Sequence, residues 1–180
     1  MSFNEIVEML RDVTPLGVAL RFMLALLCGG IIGLERESKR RSAGFRTHTL
    51  VCIGATLTTL VGLFLYKSGL STDPTRLGAQ VINGIGFLGA GTVIVTGRQQ
   101  VKGLTTAAGL WASACMGLAI GAGFVEGAFV GCVLIVATIT IFTHLERRIL
   151  TRARNINLYI EFAHMDDVGA VISAIKAQDI

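Results

Sequence analysis

Eight polar residues lie in or beside long apolar runs and could do chemistry: Glu35, Arg46, Asp73, Arg76, Gln80, Asn83, Thr105 and Thr106. Three of them are ordered by helical spacing. At 3.6 residues per turn, Arg76, Gln80, Asn83 and Phe87 share one face of a helix, with Gly84 and Gly91 beside it and Gly86 and Gly89 on the other side. Two amides inside an apolar run can hydrogen-bond to neighbouring helices or line a path for a ligand or ion. Glu35 and Arg46 flank one charged loop and suit an interfacial ion pair. Thr105 and Thr106 can bond backbone within their own helix or join a site with the amides. Asp73 precedes Pro74, a pairing that suits a helix start with Asp73 as the cap.

Other chemistries find less support. Gly84-x-Gly86-x-x-Gly89 has the spacing of a dinucleotide cradle, which needs a preceding strand and an acid about 20 positions on. Here the glycines sit inside a membrane-length apolar run, and Lys102 and Gly103 occupy the place of the acid. There is no nucleophile–base pair and no pair of histidines at ligand spacing, His48, His144 and His164 being far apart. An enzyme, a metal site and a cofactor are not expected.

The elements that must position these residues are membrane helices. Of 180 residues 52 % are hydrophobic and 16 % charged, too apolar for a soluble domain of this size. The 22 glycines suit packed membrane helices, and the net charge of +4 is topology information rather than a nucleic-acid signal. Cys28, Cys52, Cys115 and Cys132 read as small bundle- or lipid-facing residues.

Residues 1–15 carry Phe3, Ile6, Val7 and Leu10 at amphipathic spacing, an interfacial helix with no expected cleavage site. Five crossings then fill 16–145: 16–34, 49–66, 76–96, 104–121 and 124–142. Arg21 near the start of the first can snorkel to the interface. Small residues recur every fourth position: Ala25, Gly29 and Gly33 on the first crossing, and Gly54, Thr58 and Gly62 on the second. The fourth carries the longest such stripe, Thr105, Gly109, Ser113, Gly117 and Gly121, and Gly123, Gly127 and Gly131 follow on the fifth. The run 76–96, polar on one face and glycine-flat on another, is expected in the middle of the bundle. Glu126 is expected exposed at the interface, and His48 as an interface residue.

Loop charge sets the orientation. Residues 36, 39, 40, 41, 46, 98, 102, 147, 148, 152 and 154, eleven Lys/Arg, fall on one side, and only Arg11, Lys67 and Arg76 on the other. Five crossings with the amino terminus outside and the carboxy terminus cytoplasmic satisfy both halves of the count. At 155–180 the pattern changes: Leu158, Ile160 and Phe162 alternate as a strand, and Asp166 can cap a helix bearing Val168, Val171, Ile172 and Ile175. Such a unit cannot bury a core alone. It is either cut short or paired with a copy of itself.

Four blocks in order, Gly29–Glu37 (GGIIGLERE), Ala43–Ala55 (AGFRTHTLVCIGA), Arg76–Gly91 (RLGAQVINGIGFLGAG) and Val101–Trp111 (VKGLTTAAGLW), resemble the MgtC/SapB family of bacterial inner-membrane proteins. Asn83 and Gly78 stand where that family often has Ser and Ala. The resemblance implies an all-α polytopic membrane protein whose residues 155–180 look like the start of a cytoplasmic ACT-like domain. It also implies a role in virulence, in intracellular survival and in growth at low magnesium, with modulation of the F-type ATP synthase as one proposed action. Two functions are carried forward: a non-enzymatic regulator acting on a partner in the bilayer, and a small cation transporter or channel. Gly84, Gly86, Gly89, Gly91, Gly109, Gly117 and Gly121 are expected at helix contacts, and the stripes on the fourth and fifth crossings suggest a homodimer or higher oligomer. No nucleic-acid partner is expected.

Overall fold

The computed structural model describes residues 8–95 and 101–150, with the side chains of 94, 95 and 146–150 excepted, and a few helical positions between 168 and 173. Among the described residues, 8–11 are helical, and five longer helices and one antiparallel strand pair follow: α1 Pro15–Ser38, α2 Phe45–Lys67, α3 Arg76–Gly91, β1 Ile94–Val95, β2 Val101–Lys102, α4 Leu104–Gly121 and α5 Val125–Leu150. Four of them, α1, α2, α4 and α5, are long and apolar enough to cross a bilayer. At 16 residues α3 is about 24 Å long, short of a ~30 Å hydrocarbon core.

The run expected to continue helically to Thr96 stops at Gly91. β-branched residues follow, and Ile94 and Val95 pair antiparallel with Lys102 and Val101. Gly103, at φ 99°, turns the chain from β2 into α4.

Helix starts follow local chemistry. At α1 the Thr14 hydroxyl accepts the Gly17 N–H at 3.1 Å, and Pro15 takes the first helical position. At α2 the cap is Gly44, and the carboxylate of Glu37 accepts the Phe45 N–H at 2.8 Å. The helix expected to open on Asp73 and Pro74 instead opens at Arg76 with Thr75 as its cap. Asp73 accepts from both the N–H and the hydroxyl of Thr75, at 2.8 and 2.7 Å, so it organises the turn before the cap.

The centre of the bundle is α2, not α3: it packs on α1, α3 and α4, and α4 also contacts α1 and α3. Glycines set these approaches. A Cβ on Gly29 would lie 2.9 Å from Cys52 Cβ, and one on Gly33 2.6 Å from Phe45 Cα. On α4 the small stripe faces α2, where Gly117 meets Cys52 and Ala55, and Gly121 meets Thr56 and Thr59. The interior is completed by Ala25, Cys28 and Ile32 of α1, Met116 and Ile120 of α4, and Ala128, Cys132 and Ile139 of α5. A second cluster joins Ile85 of α3 to Ala43, Ala55, Leu110 and Ala114.

Residues 146–180 form a separate unit. Positions 168, 169, 171 and 173 are helical there, and Ser173 donates to the Gly169 carbonyl at 2.8 Å. The expected strand at 158–162 lies outside the described residues, as do Phe3, Ile6 and Val7 of the amphipathic segment.

Candidate functional site

The polar residues divide into an outward stripe and a buried junction. On α3 the inward face is Gly78, Val81, Ile82, Ile85 and Gly89, with Gly89 in van der Waals reach of Ala107. The outward face is Arg76, Gln80, Asn83 and Phe87, all exposed, with Phe87 at 84 %. Gln80 and Asn83 make no side-chain hydrogen bond to any described residue. A Cβ on Gly84, Gly86 or Gly91 would meet nothing within 4 Å. Among the described residues, the glycine contacts expected on both sides of this helix are therefore made by Gly89, with Gly78 at the edge of Leu118.

Counting from Arg76, Gln80 lies about 6 Å and Asn83 about 10 Å along the helix axis. An amide placed in apolar surroundings without a partner costs roughly 2–7 kcal/mol.

The second group lies where α1, α2 and α4 meet. Arg36 is 3 % exposed and sits 3.7 Å from the Glu35 carboxylate. The ion pair expected between Glu35 and Arg46 is replaced by this one, and Arg46 is exposed. His48, expected at the interface, is fully buried. Its Nδ1 is 3.0 Å from the Gly44 carbonyl, so Nδ1 donates, and in the neutral ring Nε2 keeps a lone pair. That Nε2 lies 3.3 Å from where a Cβ on Gly109 would stand. Ser113 is one turn further along the α4 stripe, between the level of His48 and that of Cys52. Glu35 Oε2, Arg36 Nε, His48 Nε2, Thr49 Oγ1 and Ser113 Oγ are all buried without a hydrogen bond to any described residue. Thr106 is buried, about one turn before Gly109 on α4, whereas Thr105 lines a groove of about 270 Å³ with Leu134, Thr138 and Ile139. The two threonines do not act as a pair, and neither meets Gln80 or Asn83.

At the other end of the bundle Arg21 is fully buried instead of snorkelling. Its Nε donates to the Leu10 carbonyl at 2.7 Å and its terminal nitrogens to the carbonyls of Gly121, at 2.8 Å, and Asp12, at 3.5 Å. It ties residues 8–12 to the end of α4. Glu126 is exposed as expected and pairs with Arg11. Hydrogen bonding to Thr75 holds the Asp73 carboxyl below its ordinary pKa. No cluster of three metal-ligating side chains occurs among the described residues. The buried arginines and His48 were missed because hydropathy marks them as interfacial. The signal that could have found them is the α4 stripe, which requires a matching row on another helix, and His48, Cys52, Thr56 and Thr59 supply it.

The model of the MgtC family matches residues 22–148. The chain is 36 % identical over 144 residues to the "Putative magnesium transporter YhiD" of Escherichia coli K12, covering 77 % of this chain and 66 % of that protein. It is 31 % identical over 171 residues to Protein SapB of Bacillus subtilis, covering 91 % and 74 %. Against Protein MgtC of Brucella abortus it is 49 % identical over 113 residues, covering 63 % and 46 %. The chain thus spans less than two thirds of YhiD and less than half of the Brucella protein. No solved structure matches it.

Proposed function

Because the chain belongs to the MgtC family, we propose that it is a non-enzymatic regulator that acts by contact with protein in the bacterial inner membrane. The observation that carries this reading is the outward stripe Arg76, Gln80, Asn83 and Phe87, with open glycines beside it. Amides turned out of a bundle at membrane depth are satisfied by another protein surface. The role is in growth at low magnesium and in intracellular survival, with the F-type ATP synthase as a candidate target. In the full topology α3 lies in the bilayer as a fifth, shorter membrane segment, the amino terminus is outside, and the cytoplasmic tail begins an ACT-like domain. The loop-charge asymmetry supports that orientation.

A second reading, a small cation transporter, draws on the name of YhiD and on the buried polar junction of Glu35, Arg36, His48, Thr49 and Ser113, whose atoms lack hydrogen bonds among the described residues. The two separate on one pair of measurements. The regulator predicts no selective cation flux from purified protein in proteoliposomes, and loss of growth at limiting magnesium in Asn83→Leu at unchanged protein level. Selective flux that survives Asn83→Leu and fails in Ser113→Ala would install the transporter instead.

A further inference from the structure

We propose that the outward face of α3 seats a second copy of this chain, the two α3 helices running parallel about a two-fold axis along the membrane normal. This rests on the reading that the stripe contacts protein in the bilayer, and it names that protein. The first support is the register. Arg76, Gln80, Asn83, Phe87 and Ala90 follow one another at steps of 4, 3, 4 and 3, the seam of a left-handed parallel helix pair. All five are exposed within one chain. The positions flanking this seam are Ala79, Gly84, Gly86 and Gly91, also exposed, so two backbones can approach closely along its length.

The second support is self-complementarity. Copies inserted with one orientation meet about an axis along the normal, so each residue faces its own counterpart at the same depth. Most side chains gain nothing specific from that arrangement. An amide does, because it carries donor and acceptor together and its twin satisfies both. Gln80 opposite Gln80 and Asn83 opposite Asn83 form such a ladder, and Phe87 meets Phe87 over the room left by Gly84 and Gly91. Arg76 stands at the start of the helix where it can reach water.

The rest of the surface directs association here. The stripe of α4, Gly109, Gly117 and Gly121, is occupied by α2. The outward face of α5 is mostly apolar, Phe129, Val130, Val133, Leu134, Ile141 and Phe142 with Thr138 and His144 among them, and carries no amide. Among the described helices α3 alone combines exposed amides with exposed glycines.

The test is a cysteine scan in native membranes. Cys28, Cys52, Cys115 and Cys132 are first replaced by alanine, and single cysteines are placed from residue 79 to 91 and at Val133, then oxidised with copper–phenanthroline. Disulfide-linked dimer should peak at 80, 83, 87 and 90, fall to background at 81 and 85, and stay low at 133. A flat profile, a maximum at 133, or adducts heavier or lighter than twice the chain overturns the proposal. If the cysteine-free background does not accumulate, two differently tagged wild-type copies are co-expressed instead. Co-elution that Asn83→Leu abolishes supports the seam, and co-elution unchanged by Asn83→Leu and Gln80→Leu together refutes it. Failure here is distinct from failure of the regulator. No dimer but lost growth in Asn83→Leu removes the second copy and keeps a different partner. A seam dimer with full growth in Asn83→Leu keeps the copy and removes the regulatory role.

Discussion

Replacing Gly117 with alanine tests the central packing argument with one added carbon. Its Cβ would lie 2.8 Å from Ala55 Cβ and closer still to the Cys52 carbonyl. Carbon pairs rest at roughly 3.5–4.0 Å, so α2 and α4 must part by about 1 Å. Overpacking of this kind costs about 1–3 kcal/mol. The same movement stretches the bond from Thr56 Oγ1 to the Gly117 carbonyl, now 2.9 Å, beyond hydrogen-bonding distance. Thr56 keeps its second acceptor, the Cys52 carbonyl at 3.0 Å, so only the interhelical bond is lost, worth roughly 0.6–2 kcal/mol. Alanine returns up to about 1 kcal/mol through helix propensity. The balance is a loss of roughly 1–4 kcal/mol, large against a total stability of about 5–15 kcal/mol. The assay is loss of the monodisperse peak on size exclusion after heating detergent-purified protein. Gly54→Ala is the control, since a Cβ there meets nothing within 4 Å. Thr56→Val separates the two terms by removing the hydroxyl alone. If Gly117→Ala melts with Gly54→Ala, the α2–α4 crossing is not as close as described.

Arg21→Met should release residues 8–12 from the end of α4, read as new trypsin cleavage at Arg11 in reconstituted protein; Arg21→Lys should not rescue, since one nitrogen cannot reach three carbonyls. Asp73 has a folded pKa below its unfolded one, so its contribution is present above the unfolded value and is lost as pH falls through the folded value. Protection of the Thr75 amide, relative to its intrinsic exchange rate, should therefore fall in wild type as pH drops below the ordinary carboxylate range. Asp73→Asn keeps an acceptor oxygen but should abolish that pH step.

How far the sequence reaches differs by element. The fourth crossing was legible at both ends because Gly103 and Gly121 punctuate it. The first, second and fifth run longer than their hydropathy, since a hydrogen-bonded helix continues past the apolar segment into charged residues such as Glu35 and Arg36. The stop of α3 at Gly91 was obscured because Val93, Ile94 and Val95 are as apolar as a crossing, and hydropathy cannot tell a strand from a helix in a short run. The stripe of Arg76, Gln80, Asn83 and Phe87 was legible as a face, but not the direction it points. Direction depends on which neighbour offers the better fit, and α4 offers Ala107 and Leu118 to Gly89 and Gly78. Burial of His48 and Arg36 was hidden for the same reason: a polar residue near a helix end reads as interfacial until the helix it meets is known.

The position of α2 explains how this bundle can hold polar groups in two different states. Its contacts with α1 and α4 are made through glycines, so backbone approaches side chain closely enough for Thr56 to reach across to Gly117. Inward polar groups are thereby fixed by geometry that one methyl group upsets. On α3 the amides are exposed and a Cβ on Gly84, Gly86 or Gly91 would meet nothing within 4 Å, while Phe87, Ala90 and Gly91 border an open groove of about 340 Å³ with Ser42, Ala43, Thr47 and Leu110. Changes to the outward face therefore leave the α1–α2–α4 core untouched, whereas changes to the inner stripe disturb core and display together. That separation lets a membrane protein alter what it contacts without altering how it folds. It also makes Asn83 and Gln80 the places where loss of function without loss of protein is expected.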